Sequence, residues 1–267
     1  MTACNEVANA IEGDGLYVYC IADSRVNWLL GPIGLDYEMV YTMPCKGLCA
    51  IVHSCRAKPY ESKDPQAVQA WVIAHQRVVD AAAKAFGAVL PMTFNMIVHD
   101  SDGGAAMDNL KTWMEQNCDG FRRRLDKLIG RAEYGVQICW DRLTVAEQLI
   151  QTDPALAKVQ EQARNKPKGT AYMLDQKLFK ATRAALERQA NDIVERFYTS
   201  IRQCVDEVRV EKPKKPADGK QMLLNLSCLA ETGGEALSTV LEEIQQIKGI
   251  SVRFTGPWPP YSFVSAA

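Results

Sequence analysis

Two periodicities alternate along the chain. Leu16 to Ala22 is apolar at every position, with Leu16, Val18 and Cys20 on one side and Tyr17, Tyr19 and Ile21 on the other. That pattern predicts a central strand covered on both faces. Residues 23–36 hold two glycines and a proline and read as a loop, followed by a weak strand at Tyr37–Thr42 and a stronger one at Leu48–Ser54. Asp64-Pro65 then opens a helix, aspartate as N-cap and proline at the first helical position. Val68, Trp71, Val72, His75, Val78, Val79, Ala82 and Phe86 form its apolar stripe. Ala88–Leu90 and Phe94–Val98 make an interrupted strand pattern, and Pro91 inside it argues for an edge or a break. Asp102-Gly103 introduces a second helix that carries Leu110, Trp113, Met114, Phe121, Leu125 and Leu128.

From Glu133 the order of patterns is strand, helices, strand, strand, helix, strand. Tyr134, Val136, Ile138 and Trp140 alternate with smaller or polar residues, as in a half-buried strand. Thr144 with Glu147 has capping-box spacing for the next helix, and Asp153-Pro154 restarts it. Asn165 to Gly169 reads as a break. Thr170 to about Cys204 is the longest helical pattern, long enough to brace two domains or to offer a face to a partner. Val205–Glu211 and Met222–Leu229 are strands joined by a basic, proline-containing loop at 212–219. Thr232 with Glu235 has capping-box spacing for a last helix, closed by Gly249, and Ile250–Phe254 is the final strand.

This is the βαββαβ order of a ferredoxin-like unit with an enlarged first crossover. The fold class expected is α+β in two domains: a leader at 1–14, an N-terminal α+β domain at 15–130, a ferredoxin-like domain at 131–256 and a tail at 257–267. The tail is a physical oddity. Pro257, Pro259 and Pro260 remove three backbone donors, so the tail is expected to leave the sheet. Trp258, Tyr261 and Phe263 place large apolar area on a chain end, so they fold back on the protein or meet a partner.

Composition narrows the function. The net charge of −1 supplies no basic field for nucleic acid or an anionic membrane. No apolar run approaches a membrane span, and Met1–Asp14 lacks the features of a secretory signal. Nine scattered cysteines, without an export signal, read as reduced thiols of a cytoplasmic protein.

Candidate chemistry is sparse. Cys45, Cys49 and Cys55 with His53 form the one plausible metal cluster, but paired zinc knuckles are missing, so no metal is expected. It leaves a ferredoxin-like ligand- or metal-sensing module as the alternative function. His75 lies within an apolar helix stripe, with no nucleophile or orienting carboxylate marked by the sequence. No phosphate loop, dinucleotide fingerprint or nucleophile elbow is present, and neither catalysis nor a cofactor is expected.

Six segments, in order, resemble the gas vesicle GvpL/GvpF family: Gly15–Ile21, Gly47–Val52, Trp71 with His75-x2-Val78-Val79, Val89–Phe94, Gly169–Leu174 and Thr255–Phe263. The last of these is the most specific. Thr93 and Asn95 depart from the family pattern, which favours arginine and glycine there. The resemblance implies a non-enzymatic accessory or minor structural protein of gas vesicles, the hollow, protein-walled flotation organelles. It implies that the chain helps assembly by binding the small hydrophobic shell protein GvpA and other accessory proteins. It further marks Trp71, His75, Pro91, Phe94 and Tyr172 as structural motif residues. The stiff aromatic tail, Pro257, Trp258, Pro259, Pro260, Tyr261 and Phe263, is the expected partner-binding segment on physical grounds.

Overall fold

The structure is a computed structural model that describes residues 13–101, 104–164, 168–216 and 219–264. Most of the leader expected at 1–14, Asp102-Gly103, most of the Asn165–Gly169 break and Ala217-Asp218 of the basic loop lie outside the described residues. The chain divides into two compact units: residues 1–132 with 258–267, and residues 133–257.

Unit one is built on a mixed layer of strands and two helices. Its strands are β1 (Gly15–Asp23), β2 (Leu29–Gly31), β3 (Val40–Cys45), β4 (Leu48–Cys55), β5 (Val89–Pro91) and β6 (Ile97–His99). The sheet order is β2-β3-β4-β1-β5, with β6 also paired to β1. Helices α1 (Pro65–Phe86) and α2 (Ala106–Leu128) both pack on β1. Every residue of β1 from Gly15 to Ala22 is buried, as its uninterrupted apolar run predicts.

One detail of β1 departs from simple alternation. Against β4 the pairing steps from Val18↔Val52 to Cys20↔Ile51, so Tyr19 is an extra residue. A bulge of this kind reverses the facing of everything beyond it. Cys20 and Ala22 therefore join the same buried cluster as Tyr17 and Tyr19. The expected split, with Cys20 opposite the tyrosines, is corrected by that single inserted residue.

The start of α1 is as read: the Asp64 carboxylate accepts from the Gln66 amide. Ala74, His75, Val78, Val79 and Ala82 are buried, whereas Val72 is exposed and falls outside the stripe. Pro91 pairs with Cys20 from β5, at the edge of the sheet, where a missing N–H breaks no ladder.

Unit two holds β7 (Arg131–Trp140), helices α3 (Arg142–Thr152), α4 (Pro154–Arg164) and α5 (Lys168–Gln203), then β8 (Glu207–Val210), β9 (Gln221–Glu231), α6 (Glu235–Gln245) and β10 (Ile250–Trp258). The sheet order is β10-β7-β9-β8. Strand β7 alternates half-buried and buried positions along its whole length, matching its sequence pattern. Trp140 at its end is buried, and its indole N–H donates to the Gln221 amide oxygen at 3.1 Å. Among the described residues no helix is long and apolar enough to cross a membrane.

Three local readings are corrected here. Helix α3 is capped by Asp141, whose carboxylate accepts from the Leu143 and Thr144 amides, so Thr144 is inside the helix. Helix α6 is entered from Gly234 in the left-handed region, with no side-chain cap from Thr232. The third concerns the tail: β10 runs on through Thr255, Gly256 and Pro257 to Trp258. The prolines were expected to end the sheet sooner. An edge strand has one unpaired side, and a proline N on that side costs no hydrogen bond.

Gly256 makes that passage possible. Its φ is +124°, and a Cβ there would sit 2.8 Å from the Glu133 carbonyl oxygen and 2.9 Å from the Tyr134 ring. Gly256→Ala combines a disfavoured backbone region with a clash against rigid atoms. A loss of about 1–3 kcal/mol in unit two is expected. Urea denaturation of the variant checks it, and an unchanged midpoint would show that β10 can shift freely here.

Candidate functional site

The most chemically distinctive place in the molecule is a buried cluster of histidines and tyrosines in unit one. It assembles from β1 (Tyr17, Tyr19), β4 (His53), α1 (Trp71, His75) and the connecting segments that carry Tyr60 and Phe94. Tyr17 is its hub. Its ring lies 4.8 Å from Tyr19, 5.1 Å from His53, 5.7 Å from Tyr60, 5.7 Å from His75 and 6.1 Å from Phe94, centroid to centroid.

The polar atoms form two short relays. The Asn95 amide donates to the Tyr17 oxygen at 3.2 Å, and the Tyr17 hydroxyl lies 2.8 Å from His75 Nδ1. The Leu35 amide donates to the Tyr19 oxygen at 2.9 Å, and that hydroxyl lies 2.7 Å from His53 Nδ1. Each tyrosine oxygen thus receives a backbone N–H and shares a second hydrogen bond with an imidazole nitrogen. His53 Nε2 lies 3.0 Å from the Tyr60 hydroxyl. His75 Nε2 is buried without a hydrogen-bond partner.

Burial sets the electrostatics. It pushes both His53 and His75 down to about 4, with a backbone interaction from Met92 opposing the shift at His75. Burial also raises the tyrosine hydroxyls of Tyr17, Tyr19 and Tyr60 well above their ordinary range. At neutral pH the cluster is uncharged throughout. The hydrogen bonds between these neutral groups hold the rings in place.

The cysteines do not converge. Burial lifts the Cys49 and Cys55 thiols to about 11, and it raises Cys45, whose thiol faces the Lys111 carbonyl. Both ring nitrogens of His53 are taken by tyrosine hydroxyls. Among the described residues, no three His, Cys, Asp or Glu are placed to hold a metal ion.

The motif residues separate into two groups. Trp71, His75, Pro91 and Phe94 all belong to unit one; Trp71 donates its indole N–H to Asp36 at 2.7 Å and meets the Tyr60 ring edge-on at 5.4 Å. Tyr172 is different: it stands 66% exposed near the start of α5, beside exposed Met173 and about two turns before exposed Phe179 on the same face.

The tail also divides. Trp258 is 48% exposed at the end of β10, and Pro257 is exposed before it. Pro259 and Pro260 are buried, and a 3-10 turn at Tyr261–Phe263 follows. Tyr261 packs on the cluster in unit one, its ring 6.2 Å from His75. The Val264 carbonyl accepts from Arg124 of α2 at 3.1 Å.

Sequence reasoning missed Tyr17, Tyr19, His53, Tyr60 and Asn95 as members of the cluster. Asn95 carried a usable clue. It stands where the resembling family favours glycine, and its φ is +67°, a region that asparagine tolerates better than most residues. Its side chain accepts from the Tyr60 amide at 2.9 Å and donates to the Tyr60 carbonyl at 3.3 Å, holding that ring over His53.

Comparisons with known proteins converge. Residues 15–265 match the sequence profile of the family described as gas vesicle synthesis protein GvpL/GvpF. Gas vesicle protein L1 of Halobacterium salinarum is 29% identical over 94% of this chain and 90% of its own length. Gas vesicle protein L2 of the same organism is 30% identical over 98% of this chain and 96% of its own. The crystal structure of the gas vesicle protein GvpF from an Anabaena species superposes with a TM-score of 0.71, covering 95% of this chain and 99% of that one at 21% identity. That likeness is one of fold: mixed α/β with antiparallel sheets.

Proposed function

We propose, since this chain belongs to the GvpL/GvpF family of gas vesicle synthesis proteins, that it acts in gas vesicle assembly as an accessory or minor component that binds the small hydrophobic shell protein. The observation that carries this reading is the family match from residue 15 to residue 265, which takes in both compact units and the terminal segment. The role is non-enzymatic and needs no cofactor. It is carried out in the cytoplasm at the growing vesicle.

Physical chemistry supports the binding step. A shell subunit destined for an air interface exposes apolar surface before it assembles, and unshielded it aggregates. A chaperoning protein needs accessible apolar side chains on a rigid support. Among the exposed apolar residues are Tyr172, Met173 and Phe179 on α5, and Trp258 at the end of β10. Helix α5 has 36 residues, which at the helical rise is about 54 Å of rigid support.

Unit two is read as ferredoxin-like. Numbering its strands in chain order, the sheet runs fourth, first, third, second, and three helices replace the single first crossover. The order β10-β7-β9-β8 is what supports that reading.

Co-expression with a GvpA-type shell protein followed by affinity capture tests the function. The wild-type chain is expected to retain shell protein. Tyr172→Ala/Phe179→Ala changes exposed residues, so stability stays within about 0.5 kcal/mol, whereas Trp258→Ala removes a half-exposed ring and circular dichroism verifies its fold. At least one of these variants is expected to lose roughly tenfold or more in retention. Wild-type chain that captures no shell protein, in a host where vesicles still form without it, would end this reading.

A further inference from the structure

The tail residues that are buried are not buried as ordinary core. They lie on a seat. Unit one takes up residues 1–132, the chain then builds unit two, and 258–267 return to unit one. The returning piece is Trp258-Pro259-Pro260-Tyr261-Ser262-Phe263-Val264, two buried prolines followed by one turn of 3-10 helix. It touches the aromatic cluster through Tyr261, whose ring is tilted against His75 and packs on the same buried core as Tyr60, Trp71 and Phe94. Its far end is tied by the Arg124 guanidinium to the Val264 carbonyl.

These are the features of a site for a proline-rich peptide. Prolines keep the segment extended before it binds, which lowers the entropy lost on docking. Aromatic side chains line the surface that receives it, and a guanidinium fixes a main-chain carbonyl and so the direction of the peptide. The seat itself is assembled by residues far from the tail in sequence. Tyr17 and Asn95 hold His75 and Tyr60 through their own hydrogen bonds, without any atom of the tail.

We propose that this seat is a peptide-binding site for the Trp258–Val264 segment that accepts it in trans, from a second copy of this chain. The evidence for the occupant is the cis complex: the seat already recognises this sequence. A swapped arrangement reproduces every contact of the unswapped one, so the two differ mainly in effective concentration. A tethered segment competes at an effective concentration set by the reach and stiffness of its tether. The exchange therefore favours the second copy where chains are crowded together, and the cis arrangement in dilute solution. This inference does not rest on a gas vesicle role, and purified protein alone tests it.

The experiment uses full-length chains. Tyr261→Ala weakens the cis segment while leaving the seat intact, and circular dichroism verifies the fold. A fluorescent peptide spanning Thr255–Val264 is then titrated into the variant and into wild type. Saturable binding to the variant is expected, about tenfold or more tighter than to wild type, whose seat is filled. The same peptide carrying Tyr261→Ala is expected to bind the variant about tenfold or more weaker. If Tyr261→Ala does not fold, Phe263→Ala takes its place. In the second arm, wild-type chains with two different tags are unfolded and refolded together at high concentration, then captured through one tag. Co-capture of the other tag is expected, and it should disappear when both chains carry Tyr261→Ala. A folded variant that ignores the peptide, or binds both peptides equally, overturns the site. Peptide binding without co-capture of tagged chains overturns the second-copy occupant.

Discussion

Lowering the pH from 7 to 4 is expected to weaken unit one by roughly 6 kcal/mol through two histidines, about 3 kcal/mol each. His53 and His75 are both held near 4 in the folded protein, by burial, against an ordinary 6.5. Above 6.5 they are neutral in the folded and unfolded chain alike, and their contribution is complete. Between 6.5 and 4 the unfolded chain takes up protons that the folded chain refuses, so stability falls as the pH falls. By pH 5 the loss is about 2 kcal/mol per histidine, and below 4 it levels off. Since a domain is stable by only about 5–15 kcal/mol, this is enough to open unit one.

The structure explains why the proton is refused. Both rings are almost wholly buried, and an imidazolium there would lose its hydration on folding. All three histidines of the chain, His53, His75 and His99, precede residue 133, so the effect belongs to unit one. Hydrogen exchange followed by mass spectrometry at pH 7 and 4.5 resolves the two units. Protection should fall in β1, β4 and α1 well before it falls in β7 and β9. Parallel loss in both units, or a slope unchanged in His53→Gln and His75→Gln chains, would contradict this account.

Tyr17→Ala is expected to cost about 3–5 kcal/mol, the range for deleting a large buried aromatic side chain. Tyr17 is fully buried and touches five other rings. Its loss also strands two polar groups, the Asn95 amide and His75 Nδ1. Tyr17→Phe separates the two contributions. It keeps the rings in place and removes only the oxygen, so about 1–3 kcal/mol is expected from the stranded partners. Guanidinium denaturation followed by near-ultraviolet dichroism measures both. Equal losses in the two variants would mean that the hydroxyl, and not the packing, carries the cluster. Tyr17→Ala should also release Tyr261, because the wall behind its seat collapses.

Much of the layout was legible in the chain. The N-cap at Asp64 with Pro65, the alternation from Tyr134 to Trp140 and the restart at Asp153-Pro154 are each local devices. Local devices depend on neighbours one to four residues away, which a sequence displays directly. The capping boxes at Thr144 and Thr232 failed for a related reason. Asp141 lay closer to the first turn and bound its amides, and Gly234 let the backbone enter α6 without any side chain.

The cluster was legible only in part. His75, Trp71 and Phe94 were marked by resemblance, and the buried stripe of α1 was visible as periodicity. That His53 would meet Tyr19, or that Asn95 would reach Tyr60, depends on pairings between β1 and β4 and on a single bulge at Tyr19. Pairings across tens of residues leave no local mark.

The terminal segment shows the division most clearly. Its sequence alone determined that it is stiff, apolar and unlike a frayed end, because proline fixes φ and aromatic rings carry area wherever they are placed. Only the tertiary structure decided that β10 continues through Pro257, since only the sheet order makes that strand an edge. Only the tertiary structure decided that Tyr261 turns to His75 while Trp258 faces out, since burial is a property of what surrounds a side chain.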